Sequence, residues 1–253
     1  MFPEERRAAI IEILNKTGRR RVADLARELL VSEVTVRQDL DLLEQQGLLR
    51  RAHGGAIINP RTGFERPFQL EETAFSDEKE RIGKAAAAQI SDGETVILDV
   101  GTTVAAVARH LESHQQLTVL TNALNIALTL ENYPEINLLV TGGTLRPQQH
   151  SLVNPYARFI LEQVRVDLVI IGVSGVSLEH GFTNVNIAEA EMKELFIKTA
   201  QRRIVVADSS KIGKVALARV AKLSEIDLLI TDQQADSEAL AKLREQGLEV
   251  VLA

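Results

Sequence analysis

Two groups of residues in this 253-residue chain have the types and spacing for chemistry, and both suit anions. In the carboxy-terminal three-quarters, short runs of small polar residues follow five apolar, β-prone stretches. They are Asp99-Val100-Gly101-Thr102-Thr103, Thr121-Asn122, Thr141-Gly142-Gly143, Gly172-Val173-Ser174-Gly175 and Asp208-Ser209-Ser210-Lys211-Ile212-Gly213. Open α/β sheets bind ligands at the carboxyl ends of their strands, so loops of this kind are expected to converge on a pocket. Gly101 lets the backbone come close, the helix start after it offers N–H groups and partial positive charge, and the Thr102 and Thr103 hydroxyls complete a phosphate cradle. Lys211 is the expected balancing charge. A single such loop carries little weight, because a glycine after a strand is more often a helix-start turn; five together carry more.

Further on, Asn186, Glu189 and Lys193 fall on one helical face, where they can hydrogen-bond sugar hydroxyls. The plainer reading is a solvated helix with an i,i+4 Glu189–Lys193 pair, worth about 0.3–0.5 kcal/mol. An enzyme is the competing class, in which Asp99, Glu189 or His150 serves as general base.

The second group lies near the amino end. Ser32 is an N-cap in front of a helix whose Val36, Leu40 and Leu43 point inward while Val34, Arg37, Gln38 and Asp41 point outward. The Ser32 and Thr35 hydroxyls suit a phosphate, Arg37 a phosphate or guanine edge, Gln38 an adenine, and Val34 a thymine methyl. Beyond Gly47, the strand Leu48 to Arg51, the turn His53-Gly54-Gly55 and the strand Ala56 to Ile58 form a basic hairpin, with Arg50, Arg51 and His53 placed to follow a DNA backbone or enter the minor groove. Arg19, Arg20 and Arg21 add to the basic face. Two bland alternatives stand beside this reading: a three-helix core with a solvated charged face, and a protein-interaction scaffold.

These groups need elements to hold them. A helix from about Pro3 to Lys16 and a second from Val22 to Leu30, with Val22, Leu25, Ala26, Leu29 and Leu30 on one stripe, complete a winged helix-turn-helix over residues 1–58. Residues 59–75 contain two prolines and no regular apolar period, which fits a linker that Phe64, Phe68 and Phe75 can pin to the larger domain. From 76 to 253, helical stretches alternate with seven β-rich runs: Thr95 to Val100, Leu117 to Thr121, Ile136 to Thr141, Val166 to Val173, Arg203 to Ala207, Ile226 to Thr231 and Leu248 to Leu252. That alternation predicts an α/β domain with a parallel-rich sheet.

Composition agrees with two unequal domains. The 45% hydrophobic content is enough for large cores. No cysteine occurs, which excludes disulfides, thiolate catalysis and Cys-based metal sites and suits a reducing cytoplasm. The apolar runs are far too short to cross a bilayer, so a soluble intracellular protein with no membrane partner is expected. The net charge of −6 hides an uneven division: residues 1–57 carry ten basic and nine acidic residues, and the remainder 19 basic and 26 acidic. The second part therefore repels an anion at long range and must hold it with local donors.

The stretch Val31-Ser32-Glu33-Val34-Thr35-Val36-Arg37-Gln38-Asp39-Leu40, followed by Arg51-Ala52-His53-Gly54-Gly55, resembles the amino-terminal pattern of the DeoR family of bacterial transcription regulators. Gln38 stands where many members have a second arginine. The resemblance continues through Asp99-x-Gly101-Thr102-Thr103, Thr121-Asn122, Gly142-Gly143, Gly172-x-Ser174-Gly175, Asn186-x-x-Glu189-Ala190-x-x-Lys193 and Asp208-x-Ser210-Lys211. It implies a ribose-phosphate-isomerase-like sensor domain that binds a phosphorylated sugar and controls operator binding, usually as a repressor of a carbohydrate-utilisation operon; the same shared fold makes the competing enzyme a sugar-phosphate isomerase or deaminase with an accessory DNA-binding domain. With a DNA reader attached, no catalysis is expected, and no cofactor or metal. Reading half-sites on double-stranded operator DNA calls for a homo-oligomer, dimer or tetramer.

Overall fold

The computed structural model describes residues 2–45, 48–58, 65, 67–154 and 156–253. The chain divides into two compact units, Met1–Ala74 and Phe75–Ala253.

In the first unit, α1 (Pro3–Thr17) begins with a proline where a missing N–H costs nothing, and the Glu5 carboxylate accepts from the Phe2 N–H at 2.9 Å. It ends at Gly18, and β1 (Arg19–Arg21) comes next, a strand for which the sequence gives no alternating pattern. Helix α2 (Val22–Glu28) is shorter than its apolar spacing predicts. The Val31 N–H closes back onto the Ala26 carbonyl at 3.0 Å with Leu30 at φ 55, a left-handed stop that leaves Leu30 90% exposed rather than on the buried stripe. Helix α3 (Glu33–Gln45) starts as expected, with the Ser32 hydroxyl oxygen accepting from the Thr35 N–H at 3.1 Å. Its Val36, Leu40 and Leu43 join Ile10, Leu14, Val22 and Leu25 in one apolar core.

Strands β2 (Leu49–Ala52) and β3 (Gly55–Ile58) form the wing around a two-residue His53-Gly54 turn, with Ala52 opposite Gly55. β1 pairs antiparallel with the other side of β3, so the arginine strand is an edge of this three-stranded sheet. Within the stretch read as a linker, residues 59–64 and 66, including Phe64, lie outside the described residues. The end of that stretch is helical rather than irregular: α4 (Phe68–Thr73) buries Phe68, and its Leu70 packs on the first unit's core.

The second unit runs α5 (Ser76–Ala87), β4 (Thr95–Leu98), α6 (Thr102–Arg109), β5 (Leu117–Thr121), α7 (Leu124–Leu130), β6 (Ile136–Val140), β7 (Thr144–Arg146), β8 (Ser151–Val153), α8 (Ala157–Leu161) and β9 (Val166–Gly172). It continues through β10 (Gly175–Ser177), β11 (Gly181–Asn184), α9 (Ile187–Thr199), β12 (Ala200–Val206), β13 (Ala218–Ala221), β14 (Leu228–Thr231), α10 (Ser237–Glu245) and β15 (Glu249–Leu252). The seven expected runs are all strands of one fully parallel sheet ordered β15-β14-β12-β9-β4-β5-β6. Two small antiparallel additions, β7-β8 and β10-β11-β13, have no periodicity to announce them. Strands of three or four residues are too short to show one.

That order sets the site. The chain moves outward from β4 through β5 and β6, then returns to the other side of β4 with β9 and moves outward again. Such a reversal splays the connections away on either side and opens a crevice at the carboxyl ends of the two central strands. No described helix is long and apolar enough to cross a membrane.

Candidate functional site

On the first unit, the outer face of α3 presents Val34, Arg37 and Gln38 to solvent. The Ser32 hydroxyl lies 2.8 Å from that of Thr35, so both groups already share the helix cap. Arg37 is held at 2.6 Å by Glu33, one turn back. Arg51 behaves differently from its neighbour Arg50. Its guanidinium donates to the Arg37 carbonyl at 3.2 Å and meets Asp41 at 3.1 Å, while its backbone N–H donates to Glu44 at 2.6 Å. Arg51 thus bolts the wing to α3, and Arg50 and His53 are exposed. Arg19, Arg20, Arg21 and His53 line, with Asp24, a depression of about 600 Å³ beside the wing, in which Arg20 meets Glu28 at 2.9 Å. Below these surface groups, Asp39 is buried and fixes α3 to α1 through Arg6 at 2.5 and 3.2 Å, holding the Arg6 guanidinium above its ordinary pKa.

On the second unit, the loop after β4 meets the end of β9 in the crevice: a Cβ on Gly101 would lie 4.0 Å from the Gly172 Cα. Asp99, at the end of β4, is fully buried and ion-paired with Lys193 of α9, also buried. Desolvation pushes the Asp99 carboxyl up to about 6 against the downward pull of the Lys193 ammonium. Its Oδ1 has no hydrogen-bond partner among the described residues. One turn earlier on α9, Glu189 does not pair with Lys193 as the spacing suggested. It meets Arg146 of β7, accepts from the Ser151 hydroxyl at 2.7 Å and from the Asn184 amide at 3.3 Å, and the far side of Asn184 accepts from the Ser174 hydroxyl at 3.0 Å. Asn186 caps α9, its side chain accepting from the Glu189 N–H at 3.1 Å. The solvated-helix reading of this face is therefore overturned: Glu189 and Lys193 are both buried, each with its own partners, Lys193 on Asp99 and Glu189 on Arg146, Ser151 and Asn184.

The remaining candidates fall around that network. Gly101, at φ 145, opens α6 without a capping side chain, so the first N–H groups of that helix stay available to an anion, next to Thr102 and Thr103. Thr121 and Asn122 are buried: the Thr121 hydroxyl accepts from the Ala123 N–H at 3.1 Å, and Asn122 braces β8, its amide donating to the Leu152 carbonyl at 3.3 Å. Gly143, at φ 130, and Gly175 have packing reasons. A Cβ on Gly143 would come within 2.5 Å of the Val153 carbonyl, and one on Gly175 would strike the Lys214 carbonyl. Gly142 faces open space. Lys211 sits in a short 3-10 turn after β12, two strands from β4, and the cation that meets Asp99 is Lys193. Sequence reading missed Arg146, Ser151 and Asn184. The Asn184-Val185-Asn186 doublet before α9 was a signal for the third, whereas nothing in the Gln148-Gln149-His150-Ser151 stretch or around Arg146 marked the others.

A DNA-reading winged helix joined to an α/β unit with a polar crevice defines a two-part transcription regulator. Family comparison agrees. The DeoR-like helix-turn-helix model matches residues 6–62, and the DeoR C-terminal sensor domain model matches residues 74–233. The chain belongs to the DeoR family, and it is a DNA-binding transcriptional regulator rather than an enzyme. It is 35% identical over 251 residues to the transcriptional regulator GlpR of Haloferax volcanii, covering 99% of this chain and 98% of that one. It is 30% identical to the glycerol-3-phosphate regulon repressor of Escherichia coli over the full length of both. Among solved structures, ribose 5-phosphate isomerase A from Methanocaldococcus jannaschii matches 55% of each chain at 18% identity with a TM-score of 0.41.

Proposed function

We propose that the chain represses a carbohydrate-utilisation operon as a homo-oligomer, and that a phosphorylated sugar bound in the β4–β9 crevice controls its hold on operator DNA. The observation that carries the ligand half is the uncapped start of α6 beside a buried Asp99 with one unpartnered oxygen. The helix start suits a phosphate, and the free carboxylate oxygen suits a sugar hydroxyl. Glu189, Asn186, Ser174 and Lys193 offer further polar groups nearby, and Arg146 is the cation that the sequence did not mark. The relatives' names point the same way, since one is a glycerol-3-phosphate regulon repressor. On the DNA half, the α3 face with Ser32, Val34, Thr35, Arg37 and Gln38 enters the major groove, while Arg50, His53 and the β1 arginines follow the backbone.

A coupling of about 1–3 kcal/mol between the two sites changes operator affinity about 5- to 150-fold, which is enough for control. The test is a thermal-shift screen of sugar phosphates on the full chain, with anisotropy then measured on a duplex that the chain itself selects from a random pool. A ligand at 100 times its Kd raises stability by about 2.7 kcal/mol and alters duplex affinity. Stabilisation by none of the sugar phosphates overturns the sensor reading. Failure to select any duplex overturns the operator reading.

A further inference from the structure

The exposed row of α3 is not built for phosphate affinity alone. Positions 33, 37 and 41 stack one turn apart, so the row reads Glu33, Arg37, Asp41, with Arg51 laid across from the wing. Three carboxylates, those of Glu33, Asp41 and Glu44, meet these two arginines: Glu33 with Arg37 at 2.6 Å, Asp41 with Arg51 at 3.1 Å, and Glu44 with the Arg51 N–H at 2.6 Å. The Glu33 and Asp41 side chains are 47% and 59% exposed, so they face an approaching duplex rather than the core. A polyanion is repelled by such groups, and each arginine it takes must first leave its carboxylate.

Resting on the DNA-binding reading above, we propose that Glu33 and Asp41 are specificity-determining residues: they withhold Arg37 and Arg51 from random DNA and release or orient them only against a matched operator. A random duplex offers Arg37 a phosphate in exchange for Glu33, one anion for another, with little gain. An operator offers a bidentate base edge, which outweighs the lost pair. Asp41 acts through Arg51. It keeps the guanidinium on the Arg37 carbonyl and so keeps the wing in register with α3, a geometry used by the operator complex and wasted in a random one.

The test measures the affinity of the full chain for a duplex it has selected from a random pool, and for a scrambled duplex of the same composition, at several salt concentrations. Glu33→Gln and Asp41→Asn are each expected to tighten scrambled-duplex binding by about 2- to 5-fold, the range of one exposed ion pair. The selected duplex gains less, so the ratio of the two affinities falls. A ratio that stays constant or rises in both variants overturns the proposal. If the unaltered chain selects no duplex at all, the DNA-binding reading has failed first and takes this one with it.

Discussion

The two units hold their charges in opposite ways. On the reader, Arg37 and Glu33 form a pair about half exposed on each side, open to exchange with another anion. In the sensor, Lys193 and Asp99 are nearly or completely buried, and Glu189 is tied to partners from β7, β8 and β11. Exposed pairs are cheap to break and suit a surface that trades one anionic partner for another. Buried pairs are costly to break and hold the elements they join in one arrangement. Among the described residues, the reader's comparable buried pair is Arg6–Asp39, which ties α3 to α1.

The contrast is broken most sharply at Lys193. Lys193→Met strands the Asp99 carboxylate and is expected to lower the sensor's stability by about 3–5 kcal/mol in urea unfolding, with part of the loss recovered in the Asp99→Asn/Lys193→Met double variant. A loss below about 1 kcal/mol would mean that the pair is solvated after all.

Arg37→Ala is expected to change stability by no more than about 1 kcal/mol. It should nevertheless weaken operator binding by about 1–3 kcal/mol, read as a roughly 5- to 150-fold rise in Kd by anisotropy. Equal effects on folding and on binding would erase the distinction between the units.

The Asp99 carboxyl also makes the sensor respond to pH. It keeps its proton to about pH 6 in the fold, against an ordinary value of 3.8, so the folded state binds that proton more tightly than the unfolded chain does. Its contribution to stability is therefore complete below about pH 4 and is lost as the pH rises through 6. The difference in Tm between the unaltered chain and Asp99→Asn, tracked from about pH 4 to 7, should vary in that window and be flat above it.

Ser32→Ala should cost about 1 kcal/mol through the lost α3 cap, seen as a small fall in the reader's unfolding midpoint with no change in the sensor's.

Much of this architecture was legible because it is local. The seven sheet strands announce themselves as continuous apolar runs, as strands covered on both faces must. Ser32 marks the start of α3 because only a short polar side chain can reach back to the Thr35 N–H. Short strands escaped, since three residues such as Arg19–Arg21 become a strand only through their partner β3. Leu30 was misplaced because spacing cannot tell a helix from the turn that stops it. In the crevice, Asp99, Gly101, Glu189 and Lys193 could be named from sequence, but their pairings could not.

The amino-acid sequence by itself determined the division into a basic reader and an acidic sensor, the helices and strands of each, and the small polar residues at the strand ends. These arise from periodicity and side-chain chemistry within a few residues. Only the tertiary structure decided that β9 returns beside β4, and that Lys193 reaches across 94 residues to Asp99 while Glu189, one turn away, turns to Arg146. Charge pairing in a buried site depends on which elements the whole sheet brings together, and no local pattern carries that distance.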